Sequence, residues 1–216
     1  MSKKYEMQRI KNDEPEYPSS LIKYLANKAT PFITTIGNIN LVQNKPLAIF
    51  NSSKCPGKVI MQTYDLMKNI KWTGITLISG FHSPIERECL KILLNGKPRI
   101  IVCPARGIEG MRIKAELKTP LDEGRLLLLS PFNEDVKRIT SEMALVRNRF
   151  IAALSDSIFI PYADPNSKTE HLCKEILSWN KPVYTFQGES NANLIELGVK
   201  SISISATGNI MNYACP

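Results

Sequence analysis

From residue 47 onward, short apolar, β-branched runs alternate with longer stretches whose apolar positions recur at a helical period. The strand-like runs fall at 47–51, 75–79, 99–103, 126–129, 157–161 and 183–186, with 201–205 as a candidate seventh. Helical stretches lie between them at 57–70, 85–94, 109–117, 138–154, 169–179 and 191–197. Strands with few polar alternations are those buried on both faces, as in a parallel sheet covered by helices. Strict strand–helix alternation implies right-handed crossovers, and so a doubly wound, three-layer α/β fold on a mostly parallel sheet of six or seven strands.

Residues 1–45 lack this rhythm. Pro15, Pro18 and Pro31 interrupt them, Tyr17-Pro18-Ser19-Ser20-Leu21 reads as a turn into a short helix near 21–27, and a loop with Gly37 and Pro46 follows. The organisation expected is a short N-terminal extension, 1–45, before one Rossmann-like domain, 46–216.

Composition changes this picture little. No apolar run is long enough to span a bilayer, and the polar, charged residues 1–17 do not resemble a secretory leader, so a cytoplasmic protein is expected. Five cysteines stand singly, without a CxxC pair and with only two histidines, which fits reduced thiols and speaks against a metal site. The net charge of +8, from 28 basic and 20 acidic residues, is compatible with a polyanionic partner and equally with an ordinary basic surface.

In an open parallel sheet, ligands collect beyond the carboxyl ends of the strands, where strand order reverses. The first exit, Asn51-Ser52-Ser53-Lys54-Cys55-Pro56-Gly57, supplies hydroxyls and a lysine ahead of a helix N-terminus, a setting for a phosphate and also for a plain N-cap turn. The second, Ser79-Gly80-Phe81-His82-Ser83-Pro84-Ile85-Glu86, holds a capping box from Ser83 to Glu86 with Pro84 at the first helical position. Gly80 there lets a ligand approach the backbone, and His82 has no acid or nucleophile in a defined relation to it. The fourth strand leaves through Ser130-Pro131-Phe132, where a base could pack on Phe132 or the ring could anchor the loop. After the fifth strand, Ser167 to Glu170 repeats the capping spacing, with Lys168 in the first turn.

Over 138–156, Ile139, Met143, Val146, Phe150 and Leu154 form an apolar stripe on a helical wheel, and Arg147 falls inside it while Asn148 and Arg149 do not. A buried guanidinium demands a partner. Either an internal carboxylate pairs Arg147, or it emerges into a pocket and grips a phosphate with its planar fork.

GxGxxG after the first strand, GxxxxGK[ST], GxSxG and HExxH are all missing, which disfavours dinucleotide dehydrogenases, P-loop NTPases, serine hydrolases and zinc proteases. Five segments, 47–54, 75–86, 124–131, 146–160 and 193–198, with the earlier Tyr17-Pro18, together resemble the Rossmann core of the DNA-processing protein A (DprA/Smf) family over about residues 46–200. Arg147-Asn148-Arg149-Phe150-Ile151-Ala152-Ala153-Leu154-Ser155-Asp156 carries most of the likeness. The resemblance implies a DNA-handling protein and does not imply catalysis, and no cofactor or metal is expected. Such a protein binds single-stranded DNA, forms a homodimer and helps load a RecA-type recombinase during natural transformation or recombination. Carried onto this chain, its phosphate or DNA site comprises Ser52, Ser53 and Lys54, then Ser79, Gly80 and His82, then Arg147, Asn148 and Arg149, with Ser130, Lys168 and Asn193 around them.

The chain departs from the family pattern in two loops. A usual Gly-Ser-Arg is Ser52-Ser53-Lys54, which exchanges a bidentate fork for a point charge. A usual Ser-Gly-x-Ala-x-Gly-Ile-Asp is Ser79-Gly80-Phe81-His82-Ser83-Pro84-Ile85-Glu86, and Arg87, Glu88 and Cys89 stand where a histidine is usual. With no room for a winged helix, a divergent stand-alone branch is expected. A sensor or carrier of a small nucleotide is the second reading. A nucleoside-monophosphate phosphoribohydrolase ranks last, because its Pro-Gly-Gly-x-Gly-Thr-x-x-Glu signature survives only as Ser167-Lys168-Thr169-Glu170, without the glycines.

Overall fold

A computed structural model describes residues 5–203. Nine strands form one sheet in the order β1-β2-β6-β5-β4-β3-β7-β8-β9. These are β1 (Met7–Lys11), β2 (Phe32–Gly37), β3 (Leu47–Ile49), β4 (Thr76–Ser79), β5 (Arg99–Val102), β6 (Leu126–Ser130), β7 (Ser157–Phe159), β8 (Val183–Phe186) and β9 (Lys200–Ile202). The strands from β3 to β9 pair in parallel, as the alternation of strand and helix requires. Residues 204 and 205 of the candidate seventh strand lie outside the described residues.

Seven α-helices accompany the strands: α1 (Ser19–Leu25), α2 (Gly57–Ile70), α3 (Pro84–Leu94), α4 (Ala115–Asp122), α5 (Ser141–Leu154), α6 (Lys168–Ser178) and α7 (Ala192–Glu196). Alternate residues of the central strands feed two cores. Ala48, Ile78, Ile101, Leu127 and Ile158 meet Leu21, Phe150, Ile151, Leu172 and Leu194, so α1, α5, α6 and α7 cover one face. Leu47, Ile49, Leu77, Ile100 and Phe159 meet Val59, Met67, Cys89, Leu93 and Leu117, so α2, α3 and α4 cover the other. This is the three-layer arrangement expected for strands that are apolar on both faces.

Residues 5–45 contribute more than the turn, helix and loop expected of this segment. β1 and β2 pair antiparallel, and β2 runs antiparallel to β6, so this segment extends the sheet by two strands. Tyr17, Leu21, Ile33 and Leu41 enter the same core as α5. β1 escapes a periodicity reading because Ile10 is its one buried residue. β2 escapes it because Pro31 and Gly37 bracket a short run and resemble loop punctuation.

Two helices start later than the pattern predicts. Gly110 has φ +66°, a left-handed conformation that a helix over 109–117 cannot contain, and α4 begins at Ala115. The Thr140 hydroxyl accepts from the Met143 N–H, so α5 is capped there and begins at Ser141, leaving Arg138 and Ile139 outside. The apolar stripe shifts with it. Ile139 and Val146 are 45% and 41% exposed, and the buried face is Arg147, Phe150, Ile151 and Leu154.

Candidate phosphate-binding site

The sheet order reverses at β3, whose neighbours are β4 on one side and β7 on the other. Beyond the carboxyl ends of these three strands lies an open cleft of about 370 Å³. Its lining includes Ser52, Ser53 and Lys54 from the β3 exit, His82, Ser83 and Glu86 from the β4 exit, and Asp164, Ser167, Lys168 and Thr169 from the β7 exit. Ala144, Arg147 and Asn148 of α5 close it from above one face of the sheet.

Each exit loop is held by its own hydrogen bonds. Ser52 donates its N–H to the Tyr162 carbonyl at 3.1 Å, and its hydroxyl accepts from the Asp164 N–H at 3.1 Å and lies 3.3 Å from the Ser167 hydroxyl. The β3 and β7 exits are thereby tied together. At the second exit the capping box is complete. The Ser83 hydroxyl accepts from the Glu86 N–H at 3.2 Å, and one Glu86 oxygen accepts from the N–H groups of His82 and Ser83 at 2.9 and 3.2 Å. At the third, the Ser167 hydroxyl accepts from the Glu170 N–H, but the Glu170 carboxylate reaches one residue further back, to the Asn166 N–H. Phe81 and Asn166 both sit at positive φ, 47° and 59°, so two cleft loops carry non-glycine residues in the left-handed region. For Asn166 this is an ordinary choice; for buried Phe81 it costs energy that the surrounding structure must offset.

Arg147 is only 5% exposed and has no carboxylate within ion-pair distance among the described residues. Its Nη1 donates to the Cys103 carbonyl at 3.1 Å and its Nε to the Asn148 side-chain oxygen at 2.7 Å. Burial pulls its pKa down, and the nearby Glu86 charge counters that. The guanidinium also lies on the backbone of Gly80: a Cβ there would stand 1.4 Å from Nη1 and 2.1 Å from Cζ. Gly80 thus makes room for an arginine of the protein itself rather than for a ligand. Nη2 has no hydrogen-bond partner among the described residues and keeps contact with solvent. The side chain is thus oriented by two neutral acceptors, which leaves the N–H groups of Nη2 unengaged among the described residues.

Lys54 and Lys168 are exposed and make no ion pair among the described residues. The N-termini of α3 and α6 open toward the same space, each adding partial positive charge. Against these stand the carboxylates of Glu86, engaged by two backbone N–H groups, and Asp164, which accepts from the Tyr162 hydroxyl at 3.0 Å. Such an arrangement offers an anion fixed dipoles and a few charges.

Five of the residues singled out in the sequence lie elsewhere. The Ser79 hydroxyl donates to the Ile49 carbonyl, a tie between strands, and Gly80 carries Arg147. Ser130 is buried and donates to the Arg106 carbonyl. Arg149 faces away from the cleft, and its Nε–H is shared by the two oxygens of Glu175 at 2.9 and 2.8 Å. Asn193 donates to the Ala163 carbonyl and to Glu170, bracing the β7 exit from behind. Conversely, Asp164 and Thr169 line the cleft without having been singled out as ligand contacts, and Ser83, Glu86 and Ser167 combine the capping roles read in them with a place in its wall.

Burial pushes the Cys103 thiol beneath Arg147 up to about 12, so it stays neutral. Among the described residues no cluster of His, Cys, Asp and Glu could hold a metal ion, and no helix is long and apolar enough to cross a membrane.

No curated protein matches the chain by sequence. Solved structures share its fold. DNA processing protein A from Streptococcus pneumoniae aligns with a TM-score of 0.74 at 17% identity, covering 91% of this chain and 71% of that one. DNA processing protein A from Helicobacter pylori, described for a single-stranded DNA binding mode, aligns at 0.73 and 18% identity, covering 97% and 95%. A molybdenum cofactor binding protein from Rippkaea orientalis aligns at 0.55 and 13% identity, covering 80% and 98%. The sequence itself matches the family of DNA recombination-mediator protein A over residues 8–209, from the first strand through the last. A match of that extent makes the chain a member of the DNA recombination-mediator protein A family.

Proposed function

We propose that this recombination mediator binds single-stranded DNA by seating a backbone phosphate in the cleft between the β3, β4 and β7 exits, without covalent chemistry. The observation that carries the reading is Arg147: a buried guanidinium with no ion pair among the described residues, held by neutral acceptors and keeping its Nη2 donors for an anion. Lys54 and Lys168 add charge that needs no precise geometry, which suits a flexible backbone more than a single fixed substrate. Glu170, the carboxylate nearest to a hydrolase signature, is buried and occupied by Asn166, Lys174 and Asn193, which favours a binding role over catalysis. Family membership supports pairing of two copies and hand-over of the strand to a RecA-type recombinase as parts of the same proposal.

The modest size of the cleft favours a second reading, a carrier or sensor of a small nucleotide. Binding of oligo-dT, measured beside a thermal-shift panel of nucleotides, separates the two. The DNA reading expects oligo-dT affinity that Lys54→Ala weakens by roughly three- to tenfold, as loss of one phosphate contact does. Absence of oligo-dT binding at low salt, with strong stabilisation by one nucleotide, would reverse the order.

A further inference from the structure

On the opposite flank of α5 lies a second recess, of about 220 Å³. Leu25, Phe132, Val146 and Phe150 wall it, Lys28 and Arg149 supply its charge, and no carboxylate lines it. The Thr30 hydroxyl bridges the carbonyls of Phe32 and Pro131 at 2.7 and 3.1 Å, fastening the entry of β2 to the exit of β6 beside the recess. The recess therefore opens at the carboxyl edge of the sheet, on the same side as the cleft. Its volume is below that of pockets built for drug-sized ligands and suits one planar ring.

The two hollows share one helix. Ala144, Arg147 and Asn148 line the phosphate cleft, while Val146, Arg149 and Phe150 line the recess. They are therefore separated by about one helix diameter, ~10–12 Å, a span that a few nucleotides of extended strand cross. Val146 is exposed although apolar, so the core does not account for it. Arg149 is already paired with Glu175, whereas Lys28 makes no ion pair among the described residues and is left to meet a phosphate passing the recess.

We propose that the recess receives one unstacked base of the single strand whose phosphate sits in the cleft. The inference rests on the DNA-binding reading above and adds a base contact to it. Predominantly apolar walls with basic neighbours give a sequence-tolerant contact, set more by the ring than by hydrogen bonds.

The test compares oligo-dT with an oligomer of equal length that lacks its bases, against the wild-type protein and against Val146→Trp and Val146→Ala. Val146 is exposed, so neither substitution threatens folding. Wild type should bind oligo-dT about tenfold more tightly than the abasic strand, the scale of one base contact. Val146→Trp, which fills the recess, should erase that ratio while leaving abasic binding unchanged, and Val146→Ala should keep most of it. Equal wild-type affinity for the two strands, or a ratio that survives Val146→Trp, overturns the base recess while leaving the phosphate cleft standing. Failure of both strands to bind overturns the DNA-binding reading and the recess with it.

Discussion

Gly80 and Arg147 fit together closely, one residue lacking a side chain where the other's guanidinium sits beside the ends of β4 and β5. Alanine at position 80 would collide with the guanidinium itself, and Arg147 is anchored at Cys103 and has little room to retreat. Gly80→Ala should therefore destabilise the fold by about 1–3 kcal/mol, the cost of overpacking. It should also lower oligo-dT affinity in parallel with Arg147→Ala; denaturant unfolding and a binding titration read the two effects separately. Arg147 was legible in the sequence because a charge on an apolar helix face is an anomaly that needs explaining. Arg149 and Asn193 were not separable from it. Their partners, Glu175 and Glu170, are distant in sequence and become neighbours only on folding.

Glu170 makes a second residue-scale prediction. Hydrogen bonding from Asn193, then from Lys174 and the Asn166 N–H, holds its carboxyl below the ordinary carboxylate range despite burial. A depressed carboxylate contributes stability above its unfolded pKa and loses it as pH falls through the folded one. The wild type should accordingly lose stability relative to Glu170→Gln as pH drops below about 4. Parallel acid-unfolding curves for the two proteins would contradict this.

At the scale of elements, local chemistry sets the starts of the helices around the cleft. Ser83 with Glu86 fixes where α3 begins, and with it the positions of His82 and Glu86 in the cleft wall. Ser83→Ala should cost about 1 kcal/mol, read from chemical denaturation. The box was legible because its spacing is local. The true face of α5 was less so: a wheel drawn from Arg138 includes Ile139, but Thr140 caps the helix, and packing buries the face of Arg147, Phe150, Ile151 and Leu154 instead. The far end of the same helix is finished by Lys181, a residue the sequence reading passed over. Its ammonium donates to the carbonyls of Ala152, Ala153 and Ser155 and lies 4.0 Å from the centre of the Tyr24 ring.

At the scale of the whole molecule, the repeated strand–helix rhythm was enough to predict the parallel sheet and its covering helices. It could not predict β1 and β2, because an edge strand with one buried residue and a short strand bracketed by proline and glycine carry little periodic signal. Their placement has an energetic consequence. Ile33, fully buried in the core shared with α5, should cost about 2–4 kcal/mol when replaced by alanine. The loss should show as a shift of one cooperative transition and not as separate melting of the first 45 residues.

On the function proposed above, the cleft turns the end of a parallel sheet into a grip for the DNA backbone, with Arg147 at its centre. Oligo-dT affinity titrated against salt, for wild type and Arg147→Ala, tests this most directly. Wild-type affinity should fall steeply with salt, and Arg147→Ala should bind at least tenfold more weakly with a slope shallower by about 0.7, one released counterion on a single strand. Equal affinities and slopes for the two proteins would contradict it.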